Sequence, residues 1–214
     1  TFPTEFRSVQ AHYPIFFRKD DKSWAFTPVC LFGLDKGENL FLENNQWQAA
    51  YIPMAIQRLP FYIASRNVVI DGVTTQERML TIDLDSPKVN DKQGIDLFLQ
   101  HGGNSEYLEN IISVLENLHN GLQDNQAFIN MLVNNGLLES VSLEIDLING
   151  VKHNLLGFYT INEETLAKLA PDTIAELHQQ GFLPFIYTVI DSQVHIRDLI
   201  KRKNDKIKAQ RLAK

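Results

Sequence analysis

Two carboxylates spaced two residues apart open the list of groups in this chain that could do chemistry. In Thr81-Ile82-Asp83-Leu84-Asp85 a strand would put Asp83 and Asp85 on one face and Ile82 and Leu84 on the other, because strand side chains alternate. Such a pair can bind a divalent cation or share acid–base work. The spacing lacks the further oxygen ligands of a calcium loop, and Asp85-Ser86-Pro87 fits a turn whose carboxylate satisfies backbone amides. The turn reading comes first. Asp83 and Asp85 remain weak metal candidates, and no cofactor is expected.

The six histidines are His12, His101, His119, His153, His178 and His195. None lies two residues before Asp or Glu, and no two are four apart, so neither the start of a non-haem iron triad nor the zinc-protease helix motif is present. His101, beside two glycines, is read as an exposed loop histidine rather than a mobile acid–base group. No Gly-x-x-x-x-Gly-Lys, Gly-x-Gly-x-x-Gly or Gly-x-Ser-x-Gly run occurs, which removes the cheapest support for nucleotide, dinucleotide and serine-hydrolase readings. Cys30 is the single cysteine; its apolar neighbours predict a buried, inert thiol, and no intrachain disulfide can form. Catalytic residues are unassigned.

A binding reading centres on LDKGENLFLENNQWQAAYIP, residues 34–53. Trp47 and Tyr51 have same-face strand spacing, and with Glu38, Asn39 and Arg58 they match the composition of an aromatic-lined ligand recess. The same residues suit an ordinary meander: Asp35-Lys36-Gly37 and Asn44-Asn45 are turn sequences, and the aromatics would simply pack. The packing reading carries more weight.

Elements must position these groups. Before His101-Gly102-Gly103-Asn104, short apolar runs alternate with turn signals at residues 28–34, 40–42, 61–63, 68–70 and 79–84, predicting a β-rich half. After it, Ser105 caps a helix through Leu118, Gly121 ends that helix or separates it from the next, and Asn134-Asn135-Gly136 stops the second. Residues 138–161 read as a hairpin around a two-residue Asn149-Gly150 turn. Asn162 and Pro171 start helices, Gly181 closes the latter, Leu183–Ile190 reads as a buried strand, and Ser192 opens a final helix. The segregation predicts an α+β fold. One compact domain is expected over 1–214, with a seam near 101–104 between a β-rich lobe (1–104) and an α/β lobe (105–214).

The bulk numbers set limits. Hydrophobic residues at 44% and charged residues at 21% are globular values. No apolar run reaches the roughly 18 residues of a membrane span, and residues 1–10 lack signal-peptide order, so a cytoplasmic location is expected. The net charge of −6 divides into +6 over residues 201–214 and −12 elsewhere. An acidic body argues against nucleic acid as the partner. The basic tail, with Ile196, Leu199, Ile200 and Ile207 at helical spacing, is read as a solvated terminal helix ahead of a docking segment for an acidic partner or membrane.

An ordered string of motifs resembles the SapC-like family of bacterial proteins. It comprises His12-Tyr13-Pro14, Pro28-Val29, residues 34–41 (LDKGENLF), Trp47 with Tyr51-Ile52-Pro53, Arg58-Leu59-Pro60-Phe61, Ile82-Asp83, residues 94–98, Gly157-Phe158-Tyr159, Ile161-Asn162-Glu163, and Leu177-His178 through Leu183. Where the family usually has paired arginines, this chain has Arg58-Leu59. The transporter permease of similar name is a different protein. The resemblance implies a companion of TonB-dependent receptors, flavin-dependent tryptophan halogenases and cupin-like Fe(II)/2-oxoglutarate hydroxylases. Two functions follow as expectations: a non-catalytic accessory protein holding a partner protein, small molecule or peptide, or an enzyme with a noncontiguous site that modifies a peptide or small molecule.

Overall fold

The computed structural model describes residues 1–70 and 72–212. In chain order the elements are α1 (Phe6–Val9), β1 (Ile15–Lys19), β2 (Phe26–Cys30), β3 (Leu42–Glu43), β4 (Gln46–Trp47), α2 (Met54–Gln57), β5 (Phe61–Ile70), β6 (Val73–Ile82), α3 (Glu106–Asn134), β7 (Leu138–Asp146), β8 (Lys152–Ile161), α4 (Glu163–Ala167), α5 (Pro171–Gln179), α6 (Leu183–Ser192) and α7 (Ile196–Leu212). Antiparallel sheets and a helix-rich C-terminal part make the fold α+β. The chain forms two bodies, one of residues 1–52 with 121–214 and one of residues 53–120; His101–Asn104 falls inside the second.

In the first body a four-stranded antiparallel sheet has the order β2-β1-β8-β7. Alternation sends Ile15 and Phe17 of the central strand β1 into a core with Phe6, Phe128, Leu132 and Ile186, all nearly inaccessible to water. Each such side chain contributes roughly 1.5–3 kcal/mol on burial. The β7–β8 hairpin is present, but its loop has three residues: the Leu147 amide donates to the Val151 carbonyl, and Gly150 takes φ 81°. That conformation is the usual close of a three-residue loop.

Three expected boundaries move. Leu183–Ile190 is helical: Pro184 sits in the first turn, where its missing N–H costs nothing, and Ile186, Val189 and Ser192 are buried at three-residue spacing. Ser192 is the last residue of α6 and precedes a 3₁₀ turn (Gln193–His195) that leads into α7, but its side chain does not cap that turn. Its hydroxyl donates to the Val189 carbonyl (2.6 Å) and accepts from the Ile15 amide (2.9 Å), tying α6 to β1. Gly121 neither ends nor divides a helix, because the 29-residue α3 runs unbroken through it. An added Cβ there would meet the Phe2 ring at 2.1 Å, so the glycine serves close packing. The α3 terminus at Gly136 is as expected: φ 63°, with bonds from the Leu137 amide to the Leu132 carbonyl and from Gly136 to Val133. This is a Schellman close.

In the second body the runs expected at 61–63 and 68–70 fuse into one strand, β5, paired with β6 over ten residue pairs from Phe61↔Ile82 to Ile70↔Val73. Only the root is supported, by a small core of Phe61, Leu108, Ile111 and Leu115. Ser105 caps α3 as expected, its hydroxyl accepting from the Leu108 amide at 3.3 Å.

Candidate functional site

The expected meander reduces to one short hairpin, β3–β4, whose Asn44-Asn45 turn has φ of 48° and 62° at both residues. Both angles lie in the left-handed region that asparagine tolerates. The Asp35-Lys36-Gly37 turn forms, with the Glu38 amide bonded to the Asp35 carbonyl, but no strands flank it. Instead the Glu38 side chain folds back along its own loop to accept from the Leu34 and Asp35 amides. Gly33 allows this: a Cβ there would lie 2.7 Å from the Glu38 carbonyl oxygen.

The loop is closed by a residue 165 positions away. Lys203 of α7 donates to Glu38 at 2.8 Å and also pairs with Asp35, with side-chain exposures of 14% for Lys203 and 9% for Glu38. His153 donates from Nε2 to the Leu34 carbonyl (2.6 Å) and presents Nδ1 to Asp35 at 3.5 Å. Burial alone would raise the Glu38 carboxyl, but the Lys203 ammonium and the two loop amides outweigh it and hold the group below its ordinary range. The Lys203 hydrogen bond likewise holds Asp35 low. Burial pulls Lys203 down, yet its two carboxylate partners carry it net upward.

Beside this cluster runs a chain of aromatic hydrogen bonds. Trp47 Nε1 donates to the Tyr13 hydroxyl (2.7 Å), which donates to the Tyr51 carbonyl, and the Tyr51 hydroxyl donates to Glu5 at 3.0 Å. Burial pushes the Tyr13 phenol up to about 12, against the downward pull of the Trp47 bond. Burial and then the Glu5 carboxylate raise Tyr51 further. Cys30 is partly rather than fully buried, and desolvation pushes its thiol up to about 11, far from a reactive thiolate.

The basic tail is engaged within its own body. Arg202 donates to the Gln48 carbonyl (3.1 Å) and lies 4.3 Å above the Phe41 ring, Lys206 reaches Glu38 at 3.6 Å, and Asn204 accepts from the Ile148 amide. Two clefts flank the loop. One of about 480 Å³ is walled by residues 30–38 and 155–158 with Arg18 and Lys19; another of about 390 Å³ has Asn39, Arg202 and Lys206 in its lining. Asn39 itself accepts from the Phe41 amide at 2.9 Å.

Of the residues expected in one recess, Glu38, Asn39, Trp47 and Tyr51 belong to the first body and Arg58 to the second. Arg58 donates to the Phe61 carbonyl (3.0 Å) and stacks 4.4 Å over the Tyr62 ring, at the root of the ribbon. Asp83 and Asp85 do not share a strand face, because β6 ends at Ile82; the Asp83 carboxylate accepts from the Asp85 amide at 3.1 Å in a turn. Among the described residues no group of three or more His, Cys, Asp or Glu is placed to hold a metal. Sequence reasoning missed Lys203, His153 and Tyr13 as members of the polar cluster. Their partners lie 34 to 168 positions away, and no local pattern signals such pairs.

The second body carries a long exposed feature. All of Val73–Arg78 is exposed, and an apolar groove of about 440 Å³ lies between Ile63, Met79 and Leu80 of the ribbon and Ile112 and Leu115 of α3.

The arrangement defines an α+β protein with an internally bonded polar cluster in its first body and an exposed ribbon in its second. The chain belongs to the SapC family, whose sequence profile matches residues 1–199. No curated protein and no solved structure matches it. No helix among the described residues is long and apolar enough to cross a membrane.

Proposed function

We propose that the chain is an accessory or binding protein that holds a partner protein, and that the β5–β6 ribbon makes the contact. The exposure of the ribbon carries this reading. Val69 and Val73 are 70% and 65% exposed near its tip, and among the described residues no third strand joins it. A two-stranded hairpin is marginal in water by itself, and its unpaired edges are templates for another strand. An extended segment of a partner would supply that strand through main-chain hydrogen bonds, with side chains seated in the adjoining groove.

In this reading Arg58 fixes the ribbon root through Phe61 and Tyr62, whereas Glu38, Asn39, Trp47 and Tyr51 shape the first body's clefts. The partner classes to try are those the family resemblance implies: a flavin-dependent tryptophan halogenase, a cupin-like hydroxylase and a component of a TonB-dependent receptor pathway. Native mass spectrometry of the chain with each tests the reading. A defined heterocomplex is expected, lost when Val69→Lys and Val73→Lys are combined while circular dichroism is unchanged. A complex that survives both substitutions assigns the contact elsewhere.

A further inference from the structure

We propose that the cleft between residues 30–38 and 155–158 binds a small organic anion with an apolar body, such as a medium-chain carboxylate. The inference starts from Arg18. It lies on β1, a central strand, with Thr27 on one side and Phe158 on the other. Neither neighbour carries charge, so no cross-strand carboxylate supplies the stabilising pair that a cation can make on a ladder. The Arg18 backbone makes its ladder bonds, but its side chain has no hydrogen bond or ion pair among the described residues. The nearby Asp20 carboxylate feels its charge but is itself bonded to the Lys22 and Ser23 amides and the Ser23 hydroxyl. Lys36 also lines the cleft.

Three carboxylates also line this cleft, Asp21, Asp35 and Glu38. Two, Asp35 and Glu38, are paired with Lys203, and Lys206 supplies the second positive charge beside Glu38. Lys19 is held over the Trp24 and Phe26 rings, 4.4 and 5.4 Å from their centroids. With Lys203 and Lys206 set against Asp35 and Glu38, the cations Arg18, Lys19 and Lys36 face the two carboxylates of Asp20 and Asp21, and the cleft is left with a small net positive charge. Its remaining wall is apolar, from Leu155, Leu156 and Phe158, where a bulge at Gly157 (φ 80°) breaks the ladder with β7. The volume of about 480 Å³ is in the range of small-molecule sites. A guanidinium and an ammonium beside an apolar wall match a carboxylate attached to a hydrocarbon, with the planar fork of Arg18 engaging both oxygens.

The test uses octanoate as the probe, followed by amide chemical shifts and titration calorimetry on the intact chain, with octanol and octylammonium as charge controls. Octanoate is expected to shift the amides of residues 31–38 and 155–158. Arg18→Gln, at an exposed position, is expected to weaken it about tenfold while leaving the fold intact by circular dichroism; Lys36→Gln should weaken it less. Equal binding of octanol, shifts confined to other surfaces, or undiminished affinity in Arg18→Gln would overturn the proposal.

Discussion

Lys203 and Glu38, 165 residues apart in the chain, meet at 2.8 Å, and their pairing ties the terminal helix α7 to the loop at residues 33–39. The loop conformation is therefore set by a helix that local sequence does not connect to it. Removing one partner leaves the other charge poorly solvated. Lys203→Met is expected to cost about 2 kcal/mol, less than for a fully buried pair because the cleft side meets water. Urea denaturation checks this, and adding Glu38→Gln should restore part of the loss. Strictly additive losses would show that the two groups do not interact.

The same cluster sets a pH profile. Asp35 and Glu38 titrate below their ordinary values of 3.8 and 4.5, so their stabilisation is present above those values and is lost as pH falls through the lower folded ones. Lys203 titrates above 10.5, so its contribution is complete below that value and is lost as pH rises through the folded one. Stability should be flat in between and fall at both ends. In Lys203→Met the acid limb should become shallower, as read by thermal unfolding across the pH range.

Gly121 gives a sign test. In an exposed helix Gly→Ala stabilises by about 1 kcal/mol. Here the new methyl group meets the Phe2 ring, so Gly121→Ala is expected to destabilise by about 2 kcal/mol. Combined with Phe2→Ala it should cost less than the sum of the two single changes. A gain in stability from Gly121→Ala alone would contradict the packing.

The tyrosines offer a spectroscopic reading. Tyr13 and Tyr51 should ionise late in an alkaline absorbance titration, Tyr13 near pH 12. Tyr13→Phe removes one late component and alters Trp47 fluorescence, because it deletes the acceptor of the indole N–H. It is expected to cost about 2 kcal/mol by leaving that donor and the Tyr51 carbonyl unpaired.

Local signals in the sequence were read correctly where the physics is local. Ser105 and Asn162 cap helices, Gly136 and Gly181 close them, and the hairpin at residues 138–161 forms. Errors arose where tertiary contacts decide. The β-branched run at 183–190 looks like a strand, yet three-residue burial makes it a helix. Gly121 looks like a break until Phe2 is seen against it. The residues expected to line a recess were chosen for type and spacing, but three of them, Glu38, Trp47 and Tyr51, are bonded to Lys203, Tyr13 and Glu5. Only the folded chain brings those partners near.

The central claim is that the β5–β6 ribbon docks a partner protein. Hydrogen exchange at its amides tests this most directly, measured on the chain alone and with a halogenase, a hydroxylase and a receptor-pathway component in turn. One of these is expected to slow exchange on the outward-facing amides of residues 65–70 or 73–78 by about tenfold or more, with the loop at 33–38 unchanged. Unaltered ribbon exchange with every partner, or protection confined to other surfaces, would contradict the account.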